Sequence, residues 1–139
     1  MNSEHCGTAT AVGVRVPADH RHLLMLRGLT ETALLLAEFG LDEVTDLQVA
    51  IDEVATGLVD VAIDGSTIDC DLAVDAGWIT VCISAMAVTR EIIDEQGFAW
   101  HVIRTVAETP TADVGSYDRI RGGYPVTVEF GRRSGSFAR

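Results

Sequence analysis

A chain of 139 residues is long enough for one domain with a substantial core and too short for two comfortable ones. Hydrophobic residues at 47% with only 6% aromatics specify a core of Val, Leu, Ile and Ala, normal for a mixed α/β protein, and exclude a disordered chain. A formal net charge of -11 argues against nucleic acid, whose affinity rests on Lys and Arg neutralising phosphates, and is compatible with steering toward a basic protein surface.

Ala11 to Val16, AVGVRV, alternates apolar residues and reads as a first strand closed by Pro17. Asp19 is a cap for a leucine-rich first helix from Arg21 to Phe39, and Gly40 supplies a left-handed stop. Leu41 and Asp42 lead into a second helix that ends near Asp64 and Gly65. Thr67 to Val74 and Trp78 to Ser84 then alternate and form a hairpin through Asp75-Ala-Gly77. Residues 85–96 carry no strong period and read as a loop with a partial helical turn. Gly97 opens a third helix with a narrow apolar face of Phe98, Val102, Ile103 and Val106, and Pro110 lies just beyond its end. Two closing strands, about Val114 to Ile120 and Pro125 to Arg132, flank Gly122-Gly123.

Residues 1–10 and 133–139 are expected to be flexible, and the absence of repeats or linkers makes 1–139 one expected domain. Strands in adjacent antiparallel pairs with helices between the pairs predict an α+β fold, a two-layer sandwich with a mainly antiparallel sheet and helices on one face. No G-x-G-x-x-G or G-x-x-x-x-G-K-[ST] loop follows a strand. The cysteines, Cys6, Cys70 and Cys82, form no CxxC pair and have no histidine at zinc-ligand spacing, so neither a metal site nor a disulfide framework is expected. Cys70 and Cys82 lie in apolar runs and read as small buried hydrophobes. The leader MNSEHCGTAT lacks a basic segment followed by an apolar one, and no apolar run approaches membrane-spanning length, so a cytoplasmic protein is expected.

Within the second helix, Asp46, Glu53, Gly57 and Asp60 share one sector at about 100° per residue. They border the apolar face of Leu47, Ala50, Ile51, Val54, Leu58 and Val61. Acids at a core boundary either face a cleft, where a carboxylate suits chemistry, or form the solvated edge of an ordinary helix.

With Ile51-Asp-Glu-Val-Ala-Thr-Gly57 and Gly97-Phe-Ala-Trp-His-Val-Ile103 in this order of elements, the chain resembles the bacterial anti-sigma factors that are also switch-protein serine kinases. The resemblance is to the actinobacterial type, runs from Ala11 to about Arg132, and implies the histidine-kinase-like ATPase fold. It implies that Glu53 matches a catalytic glutamate four residues before an asparagine that helps hold Mg-ATP. The asparagine position is Gly57, which has no side-chain oxygen for a hard cation. An aspartate that reads the adenine amino group falls on Ala85, in Ser84-Ala-Met-Ala87, and losing that contact costs roughly 1 to 3 kcal/mol. The glycine-rich phosphate segment begins at Gly97, but Phe98, Trp100 and His101 follow where small residues would let amides approach phosphate. Weak or absent Mg-ATP binding and little kinase activity are therefore expected.

The remaining candidates carry two readings each. Glu53 is vestigially catalytic, or it caps a cavity or bonds to backbone. Arg27 matches a family arginine used in partner contact, or covers its helix with its stem. His101 donates to a ligand, or is a core or rim histidine. Trp100 is a packing residue, or a partner anchor on a lid-like loop. The function implied by the resemblance is that of an anti-sigma factor, expected as a homodimer, that sequesters an alternative sigma factor and is relieved by an anti-anti-sigma protein. The alternatives are an active Mg-ATP-dependent serine kinase in which Asp52, Asp60 or Glu95 substitutes in the pocket, and a domain that binds a small non-nucleotide ligand there.

Overall fold

The computed structural model describes residues 10–37, 39–92 and 97–134. Its elements in chain order are β1 (Thr10–Pro17), a 3-10 turn (His20–His22), α1 (Leu23–Leu36), α2 (Leu41–Val61), β2 (Thr67–Asp75), β3 (Trp78–Ala87), α3 (Phe98–Val106), β4 (Glu108–Val114) and β5 (Tyr124–Arg133). The five strands form one antiparallel sheet in the order β1-β2-β3-β5-β4. The helices form a second layer, with α2 packed between α1 and α3, α1 on β1, α2 on β2 and β3, and α3 on β4. This is the expected α+β two-layer sandwich.

Period-two patterning puts Ile68, Cys70 and Leu72 of β2, Ile79, Val81 and Ile83 of β3, and Val126, Val128 and Phe130 of β5 in the core. They meet the face of α2 made by Leu47, Ala50, Ile51, Val54 and Leu58, all buried as the helical spacing predicts. The hairpin register pairs Asp75 with Trp78, and both intervening residues have positive φ, Ala76 at 54° and Gly77 at 82°. Those values are of the type I′ kind that matches the twist of the flanking strands.

Several boundaries differ from the sequence expectation. The Asp19 carboxylate accepts from the His22 amide at 3.0 Å, but it caps the 3-10 turn, and α1 begins only at Leu23. The His22 ring, its Nδ1 2.7 Å from Asp19 Oδ1, holds the Asp19 carboxyl below its ordinary value, and the amide hydrogen bond adds to the effect. The helix ends at Leu36, and Gly40 is not a left-handed stop. Its φ is -67°, and it caps the start of α2, its amide donating to Glu43 Oε1 at 2.9 Å. The acids Asp42 and Glu43 in that first turn suit the positive end of the helix dipole.

β3 continues through Ala85, Met86 and Ala87, which were expected in a loop, because pairing with Val126, Pro125 and Tyr124 of β5 overrides their weak strand preference. The fourth strand occupies 108–114 rather than 114–120. Pro110 lies inside it, tolerated because β4 is an edge strand where a missing N–H costs no ladder bond. At the ends, Thr10 belongs to β1 and Arg133 to β5, and the buried Ser134 donates its amide to Gly77 O at 2.6 Å, so ordered structure reaches further than expected.

Cys70 is a core residue as expected, and burial pushes its thiol up to about 12. Cys82 is not. It is half-buried on the sheet face away from the helices, in register between Asp71 and Glu129, and its thiol is raised by burial first and then by those carboxylates. Cys6 and Glu95 lie outside the described residues. No described helix is long and apolar enough to cross a membrane.

Candidate functional site

The edge of α2 that faces α3 carries Glu53 and, one turn on, Gly57. α3 starts at Phe98 after Gly97, whose extended backbone (φ -85°, ψ 174°) turns the chain into the helix. Between these two helices lies a cavity of about 290 Å³. α2 contributes Glu53, Val54, Gly57 and Leu58, the segment before α3 contributes Ile92, and Gly97 to Trp100 with Ile103 close the far side. Trp100 is 7% exposed and forms a wall of the core, which settles it as a packing residue, whereas Phe98 stands 71% exposed at the rim. The narrow apolar face of α3 is thus centred on Trp100 and Ile103 rather than on Phe98.

Glu53 is the one charged side chain in this lining. Among the described residues it has no hydrogen-bond or ion-pair partner, so it caps the cavity instead of bonding to backbone. The other walls are hydrocarbon and indole. Such a cavity can accept an apolar group and offer one carboxylate to a donor, and it presents no arginine to a phosphate. A hard cation wants several oxygens, yet Gly57 has no side chain to provide one, and no group of three metal-ligating side chains occurs among the described residues. A Cβ built on Gly57 meets nothing within 4 Å, so the space for a side chain is open.

The sequence candidates Glu53, Gly57 and Gly97 therefore converge, and others do not. Ala85 lies on the inner face of β3, 8% exposed and paired with Ile68 and Val126, away from the cavity lining. His101 points outward from α3 and is exposed. Arg27 is on α1, where its Nη2 pairs with Asp52 Oδ2 at 2.9 Å. Thr30 Oγ1 donates to Gln48 Oε1 at 2.8 Å, and Gln48 Nε2 to Arg27 O at 3.3 Å, which completes a polar clasp between α1 and α2.

The acidic stripe of α2 is divided among different tasks. Asp60 Oδ1 lies 2.8 Å from His20 Nε2, and Asp46 accepts from Arg132 Nη1 at 3.2 Å, while the same nitrogen donates to Val106 O at 2.9 Å. Asp52 and Asp60 are thus engaged at element contacts and do not line the cavity. The Arg132 clasp went unread in the sequence, although a signal existed. Val126, Val128 and Phe130 set the inward parity of β5, and Arg132 continues it, so an inward arginine required a partner.

An antiparallel sheet covered on one face by three helices, with a cavity between the central helix and the one that follows the β2–β3 hairpin, defines a two-layer α+β sandwich of the ATPase-like kind. Comparison with known proteins narrows the class. Over 100 residues the chain is 32% identical to the anti-sigma-F factor RsbW of Mycobacterium tuberculosis, in both the CDC 1551 / Oshkosh and the ATCC 25618 / H37Rv strains. The match supports the RsbW-like anti-sigma factor family for this chain, as the sequence resemblance implies. It covers 70% of the chain and 58% of those relatives, so the chain spans little more than half of their length. No family model matches.

Proposed function

We propose that the protein is an anti-sigma factor that sequesters an alternative sigma factor and is relieved by an anti-anti-sigma partner, with an ATP pocket too degraded for efficient phosphoryl transfer. The observation that carries this reading is the 32% identity to a protein named an anti-sigma-F factor. The degraded pocket is supported by its donor set: an apolar lining with one carboxylate, no side-chain oxygen at Gly57, and Ala85 inside the core. A triphosphate placed there would face Glu53 with no arginine to offset its charge. Control then rests on partner competition, since a ligand shifts an equilibrium only through its differential affinity for the two states.

The test is a pull-down of the tagged protein from lysate of its own bacterium, with and without millimolar Mg-ATP, read by mass spectrometry. Enrichment of one sigma factor in both conditions is the expected result. Capture that requires ATP, or phosphate incorporated into an anti-anti-sigma protein, would favour the serine kinase instead. If neither condition enriches a sigma factor, the reading fails.

A further inference from the structure

In a chain with 21 acidic residues, the 115–123 connection between β4 and β5, GSYDRIRGG, contains two arginines and one acid, and that acid is already committed. Asp118 Oδ1 accepts from the amides of Ile120 at 2.9 Å and Arg121 at 3.0 Å. The Gly122 and Gly123 amides donate to Asp118 O at 2.7 and 3.3 Å, and the Asp118 amide donates to Gly123 O at 2.7 Å. Five hydrogen bonds on one residue fix the tip in a single turn, with Gly122 at φ 78° supplying the left-handed step.

That turn holds Ile120 96% exposed, more than any other large hydrophobic side chain described. At its base Tyr117 and Tyr124 pack edge to face with centroids 5.2 Å apart, and the Arg90 guanidinium lies 5.7 Å from the Tyr124 ring centre. Arg15, Arg27 and Arg132 are neutralised by Asp69, Asp52 and Asp46, whereas Arg119 and Arg121 have no ion-pair partner among the described residues. An apolar knob between two uncompensated cations, on a turn already ordered, has the composition and low ordering cost of an interface anchor.

We infer that the 115–123 turn docks an acidic amphipathic helix of a partner protein, with Ile120 seated among its leucines and Arg119 and Arg121 paired to flanking carboxylates. Local charge complementarity selects an acidic occupant, because the two unpaired arginines of the turn outnumber its one acid. One isoleucine is too small an apolar anchor to hold a bilayer. No residue of the turn lines the cavity, so the inference does not rest on the function proposed for it.

The test is two-dimensional 15N NMR of the full chain with a stapled 15-residue helix bearing Leu at i, i+3, i+4 and i+7 and Glu on both flanks. Amides of residues 117–122 are expected to shift while those of Glu53, Gly57 and Trp100 stay in place. I120S and the double variant R119E/R121E are each expected to weaken binding at least fivefold while keeping the parent spectrum elsewhere. Raising NaCl from 50 to 300 mM should weaken it severalfold. Unmoved turn amides at millimolar peptide, an equal response to a Lys-flanked control helix, or shifts of the turn produced only by phosphatidylserine vesicles would each overturn the inference.

Discussion

Gly57 and Ala85 both stand where the resemblance expects an oxygen-bearing side chain, and their surroundings answer a restoring substitution in opposite ways. Space is open around Gly57 in the middle of α2, so G57A is expected to raise stability by about 0.5–1 kcal/mol and G57N by a few tenths, read by urea denaturation. A85D places a carboxylate among Ile68, Val126 and the helix layer, and is expected to cost more than about 2 kcal/mol in the same assay. Stability unchanged in A85D would show that the β3 inner face admits water at this point. An acid at this position is therefore not accommodated without repacking. Glu53, Gly57 and Gly97 were legible because helical spacing and a capping glycine are local signals. The placement of Ala85 and His101 was not, because which side of a strand or helix faces a cavity depends on partners distant in sequence.

Cys70 adds a pH dependence with a definite sign. Burial raises its thiol to about 12 in the folded state, so the unfolded chain loses this proton at lower pH than the folded one. Its stabilising contribution is complete below the unfolded thiol value near 9 and falls as pH rises toward 12, at about 1.4 kcal/mol per pH unit. Denaturation at pH 8 and pH 10.5 should show a steeper loss for the parent than for C70A. Parallel losses would remove Cys70 as the cause.

At the scale of elements, the β2–β3 turn carries a residue in an unfavourable conformation. Ala76 at φ 54° has a Cβ where the left-handed region favours Gly or Asn, so A76N is expected to stabilise by up to about 1 kcal/mol in thermal unfolding. No gain would mean that the turn relaxes in solution. Helix α2 and the hairpin were read closely because each has a strong internal period. β4 was not: ETPTADV has a proline, no large apolar residue before Val114, and a register irregularity between Glu108 and Thr111. Its strand character comes from pairing with β5, which lies downstream of it in the chain. The end of α1 was misplaced for a related reason, since a glycine between two helices serves either neighbour and Glu43 decided the matter by bonding to its amide.

At the scale of the whole molecule, the sheet ends at β1, an edge strand beside the exposed Leu29 and Leu36 of α1. Should two copies associate, this edge, unpaired among the described residues, and the apolar surface adjoining it are where a second copy would meet the first. L36D, at a position 79% exposed, should leave the fold intact and halve the mass measured by light scattering. A parent chain already monomeric at 100 µM would end that expectation.

The order of the strands also sets a schedule for synthesis. β5 is made after every other strand of the sheet, yet it lies between β3 and β4, and it bears the arginine that ties α2 to the end of α3. Until residues 124–133 leave the ribosome, β3 has a bare apolar flank and β4 has nothing to pair with. A nascent chain thus has to wait for residues 124–133 before this sheet can close, and a message that stops short of them yields a sticky edge rather than a closed sheet.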